Sequence, residues 1–344
     1  MRYRCICLLG ISILLSQARL RAQDTQFSQF YAAPLYLNPA LAGSTQLTRI
    51  GVNYRNQWPS IPATFVNYSV WADHFFIDAN SGVGLMVNSD QEGLAGLRSQ
   101  SINLFYAYQL HLTRRWTFRA GFEGSYYMRD VNYSSLTFGD QFDATGKIKP
   151  VTDEVFNSNW KVNFPDISFG GVFYNQNLWV GLSAHHVTQP DISFLEGDNS
   201  RLPRKYSIHA GYKINLRQAS VHHIYAGRNT RAIDMYPALN YRRQGAFEQL
   251  DAGMYFDTDP VLIGIWYRGI PFKKFDDLNK NEALIFMVGL NTNGLNIGYS
   301  FDYTLSAIGI ESGGAHEISI SYQFFSGDPR KPPRSMRLIP CPRL

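Results

Sequence analysis

Between Gln100 and Leu112 the even positions carry Ile102, Leu104, Tyr106, Tyr108, Leu110 and Leu112, and the odd positions carry Ser101, Asn103, Phe105, Ala107, Gln109 and His111. The pattern resumes after a tight Thr113-Arg114 turn. Trp116, Phe118, Ala120, Phe122, Gly124, Tyr126 and Met128 fall on one side; Arg115, Thr117, Arg119, Gly121, Glu123, Ser125, Tyr127 and Arg129 fall on the other. A period of two places successive side chains on opposite faces of a strand, so this stretch predicts a hairpin with one apolar and one polar face. Each arm runs roughly 13 to 15 residues, well beyond the mean strand of about 5 or 6 and long enough for the about 9 to 11 residues that a tilted strand needs to cross a bilayer. Tyr and Trp sit towards the ends of the apolar rows, where a membrane interface favours amphipathic rings.

The same alternation recurs along the chain. Residues 47–56, 63–74, 81–88, 166–175, 177–187, 204–217, 234–243, 246–257, 261–268, 282–291, 295–304 and 316–325 each read as strands. With the two arms of the hairpin the tally is about fourteen, an even number as expected of a single-chain antiparallel barrel. The connections support it. Thr113-Arg114, Asn175–Asn177, Thr258-Asp259 and Thr292-Asn293 are tight and share one parity, whereas Ser134–Phe164, Thr188–Pro203 and Gly269–Asn281 are long and share the other. That asymmetry is expected of short periplasmic turns and longer outer loops. Gln218–Ile233 and Gln244-Gly245 break the rule, which suggests an insertion or a misplaced boundary and leaves twelve strands as the alternative. The fold expected is therefore an all-β transmembrane antiparallel barrel over residues 47–325.

Mean hydropathy is −0.22, and no long apolar run follows the first residues, so the chain predicts no transmembrane helix; a barrel shows such values because only alternate residues meet lipid. Residues 1–22 read as a signal peptide: Arg2 and Arg4 precede an apolar run from Cys5 to Leu15, and Ala22 is a small residue before the cut. The formal charge of +5 shrinks to +1 without the leader, because removing Arg2, Arg4, Arg19 and Arg21 leaves 28 basic against 27 acidic residues. The basic pI is then no argument for nucleic acid. Only Cys341 survives the cut, so no internal disulfide is expected.

Residues 23–46 are aromatic and rich in turn residues without clean periodicity, and are expected to pack inside the barrel as a plug or along its periplasmic rim. Residues 326–344 are Pro-rich and basic and read as an extended periplasmic tail. No phosphate loop, zinc-protease helix or nucleophile elbow is present. The adjacent pairs His185-His186 and His222-His223 point to opposite faces of a strand, which argues against a metal. Asp140, Asp143, Asp153 and Glu154 read as solvated loop acids. No cofactor, metal or catalytic site is expected. Arg119, Glu123, Arg129, Arg268 and Asp302 are expected to face the lumen, as pore lining or as pairs that close it.

Short motifs in a fixed order carry a resemblance. Gln23-Asp24-x-Gln26-Phe27-Ser28-Gln29, Asn38-Pro39-Ala40 and Gly43 open the mature chain; Tyr54-Arg55-Asn56-Gln57-Trp58 ends the first strand; Asp90-x-x-Gly93 follows the third; Gly298–Thr304 and His316-Glu317-Ile318 lie in the last two. Together they resemble the PorP/SprF family of Bacteroidota outer-membrane proteins, associated with type IX secretion and gliding motility. Phe301 stands where the family pattern leads one to expect Tyr, and Gln218–Ile233 is longer than usual. The resemblance implies a non-enzymatic integral barrel of a Gram-negative outer membrane that assists export or surface anchoring of a secreted, adhesin-like client. Periplasmic components of the secretion machine and outer-membrane lipid are further partners it implies. Under that reading Gln26, Phe27, Phe30, Tyr31, Asn38 and Pro39 are the candidates for the internal segment, and Arg55, Gln57 and Trp58 for the outer rim. The alternative is a transporter or porin for small, including hydrophobic, solutes.

Overall fold

The computed structural model describes residues 24–45, 47–62, 64–93, 96–131, 137–142, 149, 161–194, 200–217, 233–275, 278–306, 309–325 and 338–342. The leader, the connection 218–232 and most of the C-terminal tail fall outside them. The described strands are β1 (Thr48–Gln57), β2 (Phe65–Phe76), β3 (Ser81–Glu92), β4 (Leu97–His111), β5 (Thr117–Asp130), β6 (Lys161–Tyr174), β7 (Leu178–His185), β8 (Lys205–Tyr212), β9 (Ile214–Arg217), β10 (Ile233–Gln244), β11 (Phe247–Asp257), β12 (Val261–Phe275), β13 (Leu278–Thr292), β14 (Leu295–Thr304) and β15 (Ala315–Phe324).

Every pairing is antiparallel, and β15 returns to β1 with Thr48 opposite Phe324 and Gln57 opposite Ala315. β8 and β9 are separated by Lys213 alone and both pair with β10, so they are halves of one position. The sheet is thus a closed barrel of 14 positions, and the twelve-strand alternative is discarded. Closure leaves no unpaired edge, which is what hydrocarbon demands of a spanning sheet. No helix among the described residues is long and apolar enough to cross a membrane.

The two faces differ as the alternation requires. On β4 Leu104 is 62% exposed, while Arg119 on β5 is fully buried in the lumen. The irregularity suspected at Gln244-Gly245 is a correct boundary: Gln244 pairs with Phe247 across a two-residue turn. Several strands run further at the long-loop end than the apolar pattern indicates. β3 continues past Asn88 to Glu92, β6 begins at Lys161, and β12 continues past Arg268 to Phe275. Beyond the hydrocarbon slab both faces are wet, so nothing enforces alternation although the ladder continues.

Candidate functional site

The lumen is filled by the chain's own N-terminal segment. Its turns are local. Pro34 opens the one-turn helix α1 (Pro34–Leu37) with its fixed φ. The Asn38 side chain then accepts from Ala40 N at 2.9 Å and caps the 3-10 turn Pro39–Leu41. Phe27, Phe30, Tyr31, Leu35, Leu37 and Leu41 are all buried. Phe30 meets Trp266 edge-on with centroids 4.8 Å apart, and Trp179 Nε1 donates to the Tyr31 hydroxyl at 2.8 Å.

Three polar anchors fix this plug to the wall. At the long-loop end, Asp24 accepts from Lys205 Nζ at 2.6 Å and meets His186 Nε2 at 2.9 Å, and Gln244 Nε2 donates to it at 3.0 Å. Midway, the Ser28 and Gln29 amides donate to the Glu317 carboxylate at 2.7 and 3.0 Å. The Ser28 hydroxyl donates to Asp302 at 2.6 Å, and Arg55 Nη1 donates to Ser28 Oγ at 2.7 Å. Arg55 also pairs with Asp302 at 2.9 Å and with Glu317 at 3.1 Å; Arg268 pairs with Asp302 at 2.9 Å and Asp251 at 2.8 Å; Arg242 pairs with Asp251 at 2.7 Å. At the short-turn end, Arg119 Nε donates to Ala40 O at 2.9 Å, its Nη2 donates to Ala42 O, and Gly43 N donates to Asp73 at 2.8 Å. Ile339 and Cys341 of the tail pack against the hydrophobic cluster that includes Tyr31 and Leu41.

Where the plug backbone touches the wall, the wall has glycine. A Cβ at Gly82, Gly121 or Gly170 would run into Ala42 O, Ala40 N and Asn38 Oδ1 respectively. Replacing Gly121 with Val forces the 38–42 turn off its seat; a loss of about 1–3 kcal/mol is expected, as for other overpacked interiors. The check is the thermal midpoint of the purified barrel against the same substitution at Gly139, where an added Cβ meets open space.

His186 lies just beyond β7, with a positive φ of 55. Its Nδ1 meets Asp166 at 2.7 Å while Nε2 meets Asp24. Burial alone would push this imidazole down, but the Asp24 charge and the Asp166 and Asp24 hydrogen bonds hold it up at about 9. Burial likewise raises the Asp24 carboxyl, yet His186 and Lys205 keep it well below the usual carboxylate range. An imidazole whose folded pKa lies above the unfolded value of about 6.5 contributes its full stability below that value and loses it as pH rises towards about 9. Between pH 6.5 and 9 the His186→Asn variant is therefore expected to lose the fall in stability that the parent shows, measured as the thermal midpoint at half-unit pH steps.

The residues singled out from sequence are distributed as follows. Phe27, Phe30, Tyr31, Asn38 and Pro39 are buried in the lumen and Gln26 is half-buried at its outer end. Arg119, Glu123, Arg129, Arg268 and Asp302 are buried inside the wall. Arg55 is not on the rim: it is buried against Ser28, Asp302 and Glu317. Gln57 accepts from Arg55 Nη2 at 3.2 Å. Trp58 stands edge-on to Phe65 at 5.4 Å, at the start of the β1–β2 loop. Asp251 and Asp73 stand outside the candidate set, and Glu317 and His186 enter the sequence reading only as part of a family motif and as a rejected metal pair, not as holders of the plug. Glu317 and Asp251 were legible in principle, being acids on the polar parity of strands whose other face is apolar.

Above Gln26 the lumen widens into a bowl of about 590 Å3 at the long-loop end, with Asp24–Gln26 in its floor and Trp58, Phe65 and Phe247 in its wall. Among the described residues no group of three or more His, Cys, Asp or Glu is placed to hold a metal ion.

A closed barrel with a lipid-facing apolar coat and a polar lumen filled from its own N-terminus is an integral outer-membrane barrel of the plugged class. Within that class the chain belongs to the PorP/SprF family: the model of the type IX secretion system membrane protein PorP/SprF matches residues 20–322. No curated protein matches the chain. Among solved structures it is similar to the TodX deltaS2S3 mutant monoaromatic hydrocarbon channel, at 12% identity and a TM-score of 0.46, covering 85% of this chain and 94% of that one. A Pseudomonas aeruginosa FadL homologue is similar at 11% identity and a TM-score of 0.42, covering 83% and 93%. The KdgM porin is similar at 8% identity and a TM-score of 0.36, covering 80% and 99%. Overlaps this loose carry no weight for function.

Proposed function

We propose that this barrel is a non-enzymatic accessory of type IX secretion that holds, or helps to export, a large adhesin-like surface protein. Its outer loops and bowl face the client, and its short turns face the periplasmic part of the machine. The observation that carries the reading is the plug: a lumen occupied from Asp24 to Ser44 and fastened at three levels offers a surface instead of a passage. The family membership supports the secretion context. A porin or solute-transporter role would require the plug to move, and each anchor opposes that movement.

The test is a strain lacking this chain, with surface and culture-medium proteins compared by mass spectrometry. One large secreted protein is expected to vanish from the surface and to return on complementation. An unchanged surface inventory would count against the role, and impaired growth on a single small solute instead would favour transport.

A further inference from the structure

The charges around the bowl do not balance. Its cations are Arg55, Lys205, Arg242 and Arg268. Each already holds a carboxylate within 3 Å: Asp302, Asp24, Asp251 and Asp251 again, respectively. The acids of the β3 wall have no such partner. Asp90 and Glu92 stand two residues apart on one face of β3; burial raises both carboxyls and the Asp90 charge raises Glu92 further, so the pair shares a proton and carries one negative charge, and Asn67 Nδ2 reaches Asp90 Oδ1 at 3.5 Å. Among the described residues no cation lies within ion-pair distance of either. The Arg129 charge reaches Glu92 only from further off, and its guanidinium donates to Ser99 at 3.1 Å.

A second observation points the same way. Below these two acids a recess of about 70 Å3 runs between the plug and the wall, sharing Asp24, Thr25, Asp90, Glu92 and Lys205 with the bowl. Asn88 and Asn103, 9% and 1% exposed, both line it. The Oδ1 atom of each is buried without a hydrogen-bond partner, as is Oδ1 of Asp302 in the bowl itself. Buried acceptors without donors cost free energy that a donor entering the recess would recover. At the rim, Trp58, Phe65 and Phe247 offer aromatic faces and edges.

From this we infer that the bowl receives a basic side chain of an extended peptide segment, with its ammonium or guanidinium group directed to Asp90 and Glu92 and its further donors to the recess. A cation satisfies the carboxylates, carries several N–H donors for the amide oxygens, and stacks on aromatic rings. The bowl's volume lies within the roughly 300–1,000 Å3 of pockets that enclose drug-sized ligands, so it admits a few residues and no folded domain. This deepens the proposed role by naming the chemistry of the client segment, and rests on that role only for calling the segment a client's.

The experiment uses full-length protein in detergent and calorimetric titration with four separate probes: a capped hexapeptide with two central lysines, its counterpart with two glutamates, spermidine, and calcium chloride. The lysine peptide is expected to bind saturably and to weaken with salt, and the glutamate peptide not to bind. Asp90→Asn with Glu92→Gln is expected to weaken the lysine peptide about tenfold or more. Asp90→Lys with Glu92→Lys is expected to reverse the preference. Heat-dependent gel mobility checks that each variant retains the barrel. Equal binding of both peptides, or undiminished binding to the neutral variant, would overturn the inference, as would binding of spermidine or calcium without the peptide. If a deletion strain loses its surface protein while no peptide binds, only the inference falls. If the surface is unchanged while the lysine peptide binds, the role falls and the cation-selective bowl remains.

Discussion

Replacing Glu317 with alanine is expected to destabilise the plugged barrel by about 3–5 kcal/mol, the usual cost of removing one partner from a buried charge cluster. Glu317 accepts from two plug amides, Ser28 N and Gln29 N, and pairs with Arg55. Its loss strands those two donors in a water-poor interior and removes one of the two carboxylates that pair with Arg55, leaving Asp302. Glu317→Gln keeps an acceptor at the site and is expected to cost less. The temperature at which the barrel loses its compact gel mobility reports the loss, and protease cleavage between Phe27 and Phe30 reports release of the segment. A midpoint equal to that of the parent would mean that the cluster does not bear on folding.

Deleting residues 24–42 is expected to turn a silent protein into a channel. The full-length chain should give no steady current in planar bilayers. The shortened chain should give stepped currents, because Arg119, Asp73 and Glu317 would then border open water in a fourteen-position barrel. Gly43 onwards is retained to keep the entry into β1. Equal currents from both proteins would show that the plug is no seal, and would move the assignment towards a porin.

How much of this was legible beforehand follows from what each level of structure depends on. Leu104 and Arg119 were assignable to lipid and lumen because a strand forces alternation and lipid punishes an error. The number of strands followed from the same signal together with turn parity. The outer ends of β3, β6 and β12 were not legible, because past the membrane the sequence is free to drop the pattern. The site was read least well. Arg55 stands near the end of the first strand and so reads as a rim residue, yet it is buried, and its partners Ser28 and Glu317 lie 27 and 262 residues away in sequence. No local pattern encodes such a meeting. The plug was recognisable as a segment that must pack, from its aromatics, but its path was not, since single turns such as Pro34–Leu37 carry no period.

The seam where the cylinder meets itself has a consequence for assembly. β1 and β15 are the first and last strands, and they carry both halves of the grip on Ser28 and Gln29: Arg55 on one, Glu317 and Ser319 on the other. Ser28 and Gln29 therefore bridge the first strand to the last, so a chain that has seated its plug has also fastened its seam.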